Sequence, residues 1–187
     1  MSRDDRAHDR WVIEAELRSL STAYATAVDE LDGQRLSGLF VADGALVVPR
    51  YPDDLRPVIT RSGSDELRRV PEGLTRYQRT FHQLTNHRYE VAGGLASGEV
   101  LCVAHHLSAD SADSAGPAAS VDIPGDRSGA GGPGTDMVWF IRYRDEYRRT
   151  DAGWRFVRRE LHLQWVEDRP VDMVVAPGPR STDGGAR

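Results

Sequence analysis

Residues 136–167 read DMVWFIRYRDEYRRT, then DAG, then WRFVRRELHLQWVE. Both long runs are rich in aromatic and β-branched residues, and Asp151-Ala152-Gly153 between them is a turn signal. They predict two neighbouring antiparallel strands, 136–150 and 154–167. Two earlier runs, Thr80–Val91 and Glu99–Leu107, have the same character, and Ala92-Gly93-Gly94 supplies a turn after the first. Everything after Arg79 therefore reads as sheet. Upstream the period changes. Ile13, Leu17, Leu20, Tyr24, Ala27 and Leu31 recur at steps of four and three, which predicts an amphipathic helix from about Asp9 to Leu31. Asp32-Gly33 breaks it, and Asp32 can cap a short second helix running through Leu39-Phe40. Asp43-Gly44 turns the chain into a strand, Ala45–Arg50. Pro49, Pro52 and Pro57 make the next stretch a loop. Ser64-Asp65-Glu66-Leu67 opens a third helix with Ser64 as its N-cap. Helices first and long strands afterwards predict an α+β fold, with the helices packed on one face of a strongly curved, mainly antiparallel sheet.

The bulk properties fit that picture. The chain has 187 residues, 39% hydrophobic and 28% charged, with a net charge of −5. That suffices for a core built around a cavity. The mild acidity offers no attraction to nucleic acid or an anionic membrane. Basic residues are also interleaved with acids, as in Arg142-Tyr143-Arg144-Asp145-Glu146. Cys102 is the only cysteine, so neither a disulfide framework nor a cysteine zinc site is expected. The first residues, Met1-Ser2-Arg3-Asp4-Asp5-Arg6, lack a signal-peptide apolar run, and the expectation is a cytoplasmic protein. Residues 108–135 are mostly Ser, Ala, Gly, Pro and Asp and read as a flexible hairpin loop, an inserted linker or a substrate-gating lid. With residues 1–8 and 176–187 as disordered tails, one domain spans 9–175.

Alternation along the strands sorts the polar residues. In the last strand Val157, Arg159, Leu161, Leu163 and Trp165 share a face on which Arg159 is the one charge. A guanidinium there needs a partner, either a substrate oxygen or a structural carboxylate. Met137, Trp139, Ile141 and Tyr143 form an apolar face suited to a pocket wall or to plain core. His82 and His87, five apart, point to opposite faces, as do His105 and His106, so no pair has chelating spacing and no metal is expected. His106 shares its face with Val100, Cys102 and Ala104. Tyr24 lies on the helix's apolar stripe, whereas Asp29 is about 140° around from it. Phe140, Phe156 and His162 leave the convex face too apolar for solvent throughout, which predicts a homo-oligomer.

The order of these pieces resembles the SnoaL-like (nuclear-transport-factor-2-like) superfamily from Trp11 to Val171. The resemblance rests on four segments: Tyr24-Ala25-Thr26-Ala27-Val28-Asp29-Glu30-Leu31-Asp32, Leu39-Phe40-Val41-Ala42-Asp43-Gly44, Thr80-Phe81-His82-Gln83-Leu84-Thr85-Asn86-His87, and Asp145-Glu146-Tyr147 leading into Gly153-Trp154-Arg155-Phe156. It implies a cone-shaped barrel enclosing a pocket. The chain looks most like the branch of scytalone dehydratase, bile-acid 7α-dehydratase and hexachlorocyclohexane dehydrochlorinase. There a strand histidine pairs with an aspartate late in the first helix, and the matching positions are His82 and Asp29. The bile-acid enzyme's tyrosine falls on Tyr24, where the dehydrochlorinase has lysine, a departure that argues against halide loss. The dehydrochlorinase's pocket arginine falls on Arg159, and scytalone dehydratase's second histidine on His106 or its neighbour His105. The resemblance implies a cofactor-free lyase acting on a small cyclic or polycyclic hydroxylated molecule. The pocket would be lined by Trp139, Ile141, Tyr143, Cys102, Leu161 and Trp165. Isomerases and cyclases of polyketide or steroid type share the fold, as do non-catalytic ligand binders and dioxygenase β-subunits. The resemblance also favours a trimer, with a dimer the other option.

Overall fold

The computed structural model describes residues 3–109 and 131–174. It is an α+β fold in which N-terminal helices pack against a curved, unclosed mixed sheet of six strands. Helix α1 spans Arg3–Asp29, beginning six residues before the position expected from the apolar stripe. Leu17, Leu20, Tyr24, Ala27 and Val28 bury that stripe against the sheet. Leu31 then takes a left-handed conformation (φ 57°), and the Asp32 N–H donates to the Ala27 carbonyl. This is how a helix ends by satisfying its last carbonyls. Asp32 next caps α2, Gly33–Gly38, by accepting the Arg35 N–H on Oδ1 at 2.8 Å. Gly33 is required there, because a Cβ would stand 1.9 Å from the Arg68 carbonyl oxygen.

Strand β1, Phe40–Arg50, starts five residues earlier than expected. The proline stretch after it is not a loop: Asp54–Ser62 forms strand β2, antiparallel to β1. β2 lies at the sheet's edge, where a proline's missing N–H removes few ladder bonds, and Pro57 pairs with Pro49 at a register shift. Helix α3, Gly63–Arg68, is capped at Ser62 rather than Ser64, and the Glu66 carboxylate accepts the Ser62 N–H at 2.7 Å. A 3₁₀ turn at Val70–Leu74 leads into β3 (Arg79–Ala92), β4 (Leu95–Ala109), β5 (Gly131–Thr150) and β6 (Gly153–Val174). The sheet order is β2-β1-β6-β5-β4-β3, antiparallel throughout except for the parallel β1–β6 pair. Both ends of the predicted 108–135 loop are ladder, with Ser108 opposite Thr135 and Ala109 opposite Gly134. Gly131–Pro133 are likewise paired, with β6, whereas residues 110–130 and the predicted C-terminal tail lie outside the described residues.

Three bulges re-aim side chains. In β6 the register against β5 shifts between Glu146 and Tyr147 and again between Phe140 and Ile141, leaving Val157 and Gln164 as extra residues. Each extra residue reverses which alternate side chains face inward. The inward set is therefore Trp154, Phe156, Arg159, Leu161 and Leu163, all buried. Phe156, expected on the convex face, is in the core. Trp165, expected in the pocket, is 49% exposed and stacks on Phe140 with centroids 4.1 Å apart. In β3 the shift between Thr85 and Arg88, with Asn86 at φ 49°, breaks the parity that set His87 opposite His82.

Candidate functional site

The concave side of the sheet encloses a cavity of about 520 Å³. Tyr24 and Val28 of α1, Leu46 and Val48 of β1, and Ile141, Tyr143 and Leu161 form its apolar walls. His82, His106 and Trp139 line it from β3, β4 and β5. The segment from Arg69 to Tyr77 forms a further wall that sequence reading missed. A signal was present, since Val70, Leu74 and Tyr77 repeat at steps of four and three.

His82 and Asp29 meet. Asp29 is the last residue of α1, so it projects from the helix end toward β3 while Tyr24 reaches the cavity from the preceding turn. Asp29 Oδ1 lies 2.7 Å from His82 Nδ1 and accepts the Thr80 hydroxyl at 2.8 Å; Oδ2 accepts the His82 backbone N–H at 2.9 Å. Burial raises the Asp29 pKa, but the hydrogen bonds and charge of His82 and the Thr80 bond outweigh it and hold the carboxyl below its usual value. An ionised Asp29 can only accept, so Nδ1 of His82 carries the ring proton and Nε2 keeps a free lone pair. Asp29 is not among the cavity-lining side chains, whereas His82 is, so the order from the cavity outward is His82 and then Asp29.

His106, not His105, faces the cavity. Its Nδ1 donates to the Met137 carbonyl at 3.0 Å, which again leaves Nε2 as an acceptor. Burial pushes its pKa down to about 4, against a smaller upward effect of the Met137 hydrogen bond. His106 is thus a neutral acceptor at neutral pH. Its ring centroid lies 6.0 Å from that of His82, 5.1 Å from Trp139 and 5.0 Å from Tyr77. His105 is on the other face and pairs with Asp136 at 2.7 Å. Burial raises the Tyr24 and Tyr143 phenols well above their usual value, so both stay neutral O–H groups. Among the described residues no cluster of three His, Cys, Asp or Glu side chains is disposed to hold a metal ion.

Arg159 does not reach the cavity. Its Nε and Nη2 donate to Asp145 Oδ1 and Oδ2 at 2.8 and 2.7 Å, and Nη2 approaches the Ser21 hydroxyl at 3.3 Å. The guanidinium also lies 4.4, 4.3 and 4.3 Å from the Tyr24, Tyr143 and Phe156 rings. Of the two readings open from sequence, the geometry is that of the structural carboxylate pair. Cys102 also sits outside the lining, 2% exposed in the core, where burial pushes its thiol up to about 12. Trp165 is absent from the lining because the second β6 bulge turns it outward. Trp139, Ile141, Tyr143 and Leu161 line the cavity.

Comparison with known proteins places the chain in a family. Residues 9–160 match the profile of the SnoaL-like domain. A search of curated protein sequences gave no significant match. A candidate scytalone dehydratase from Novosphingobium aromaticivorans superposes with a TM-score of 0.63 at 20% identity, covering 94% of this chain and 97% of the other. A hexachlorocyclohexane dehydrochlorinase, LinA type 3 from Novosphingobium barchaimii, gives 0.62 at 17% identity over 95% and 100%. A candidate aromatic ring hydroxylase from N. aromaticivorans gives 0.63 at 19% over 84% and 93%. Likeness at such identities establishes the fold alone. No described helix is long and apolar enough to cross a membrane. With a six-stranded cone-like sheet and a matched domain over most of its length, the chain belongs to the SnoaL-like domain family.

Proposed function

We propose that the protein is a cofactor-independent acid–base enzyme that eliminates water from a cyclic or polycyclic hydroxylated molecule, with His82 as base and Asp29 as its orienter. The observation that carries this reading is the 2.7 Å contact between Asp29 Oδ1 and His82 Nδ1 at the wall of an apolar cavity. The carboxylate fixes the tautomer and stabilises the imidazolium that forms when Nε2 takes a proton. A base so placed contributes about 10²–10⁴ in rate, roughly 3–5 kcal/mol of barrier.

In the proposed step, the electron pair of a C–H bond next to a carbonyl becomes the new double bond as its proton passes to His82 Nε2. The C–O bond on the adjacent carbon breaks, and the imidazolium returns the same proton to the departing hydroxide, giving water and restoring the base. His106, neutral and accepting at Nε2, positions the leaving hydroxyl by taking its hydrogen bond. Tyr24, a neutral donor at the cavity wall, supports the developing enolate oxygen. Return of the proton to carbon would make the same dyad an isomerase or cyclase, so product mass separates the outcomes. The test is a mass-spectrometric screen of hydroxylated cyclic ketones with wild type and His82→Ala side by side. Loss of one water with wild type but not with the variant supports the reading. Dehydration that proceeds equally with both contradicts it.

A further inference from the structure

The dyad leaves the outer part of the cavity without a role. Among its lining residues are Arg61, Arg69 and Arg76 against Glu66 and Glu72, three positive side chains to two negative, in a chain whose net charge is −5. The three arginines are exposed at the cavity's outer edge, and they differ from arginines that are neutralised locally. Arg35, Arg56, Arg142, Arg149 and Arg158 each sit on a carboxylate. Among the described residues no carboxylate pairs with Arg61, Arg69 or Arg76. Arg76 is held in place without being neutralised: its Nη2 donates to the Tyr77 hydroxyl at 2.8 Å and its guanidinium lies 4.8 Å from the Tyr77 ring centroid. Tyr77 in turn is against His106, so this cation stands next to the polar end of the cavity. Of the two glutamates, Glu66 is turned back to the Ser62 N–H at 2.7 Å. Cations left unpaired around an apolar cavity suit an anion arriving with the ligand.

We propose that the cavity takes an anionic ligand, an apolar ring system bearing a carboxylate or similar oxyanion that docks on Arg61, Arg69 and Arg76 while the rings enter toward His82. This deepens the acid–base reading and rests on it for which end of the molecule reacts. The test uses a matched pair of fluorescent probes, 1-anilinonaphthalene-8-sulfonate and the uncharged N-phenyl-1-naphthylamine. The sulfonate is expected to bind about tenfold tighter at low salt, with the advantage shrinking at about 0.5 M salt. Arg61→Gln, Arg69→Gln and Arg76→Gln should each weaken sulfonate binding about two- to fivefold, leaving the neutral probe unaffected. All three together should abolish the preference. Absent sulfonate binding, equal affinity for the two probes, or a preference surviving the triple substitution would overturn the proposal. His82→Ala should keep the probe preference, so loss of the dyad reading in kinetics and loss of the anion reading in binding are separate results.

Discussion

Arg159→Met should act on stability and leave the cavity's binding and chemistry nearly intact. The guanidinium and the Asp145 carboxylate are both fully buried, joined by bonds of 2.8 and 2.7 Å. Removing the cation leaves Asp145, among the described residues, with only the Tyr147 hydroxyl, at 2.7 Å, as a side-chain donor. Breaking a buried pair from one side costs about 3–5 kcal/mol, because the remaining charge is uncompensated. In a chain of this size that corresponds to a fall in Tm of roughly 6–20 °C. Three aromatic rings around the guanidinium add cation–π contacts that methionine replaces only in part. The double variant Arg159→Met, Asp145→Leu should recover much of the loss, since no charge then remains buried. Urea unfolding of the three variants measures this. A cost under about 1 kcal/mol with collapsed turnover would instead mean that Arg159 acts on substrate, and would refute a purely structural role.

His106 should make the protein acid-sensitive. Its folded pKa of about 4 lies below the ordinary 6.5, so the unfolded chain binds more protons between those values. Its contribution is complete above pH 6.5 and is lost as pH falls through 4, on the order of 3 kcal/mol in total. Urea midpoints of His106→Gln should therefore change less than those of wild type between pH 7 and about 4.5. Gly33→Ala should destabilise by about 1–3 kcal/mol in the same assay, since its Cβ would meet the Arg68 carbonyl oxygen at 1.9 Å. We also propose a homo-oligomer, a trimer by family resemblance, formed through the convex face, where Trp165 (49% exposed) stacks on Phe140 and Phe81 is 61% exposed. Light scattering should give a multimer that Trp165→Glu dissociates, and a monomeric wild type at micromolar concentration would contradict this.

The first helix, the four long strands and the part of the cavity wall on β5 were legible because hydrophobic period survives local irregularity. Straight alternation failed where a single extra residue reverses it. That failure placed Trp165 inside and Phe156 outside, yet the reversals had left a trace. In β6 the large apolar residues change from even positions, Trp154 and Phe156, to odd ones, Leu161 and Leu163. In β3 they change from Leu84 to Tyr89 and Val91. The proline stretch misled for another reason, since an edge strand loses little when an N–H is missing. Asp29 could not be joined to His82 by helical period, because the contact arises where α1 ends and depends on how the helix crosses β3. Arg159 could not be assigned because its partner Asp145, fourteen residues away, comes alongside only through the β5–β6 register, which pairs the two directly.

The central claim is that His82 and Asp29 act as one unit on the substrate. A double-mutant cycle of kcat/KM, using a substrate found in the dehydration screen, tests it most directly. His82→Ala should lower kcat/KM by about 10²–10⁴ with the fold intact. Asp29→Asn should be severely impaired as well, since an amide can donate to the ring and select the other tautomer. The double variant should be scarcely worse than His82→Ala, as expected of groups that act together. Retention of most activity by His82→Ala, or independent and additive losses from the two substitutions, would contradict the account.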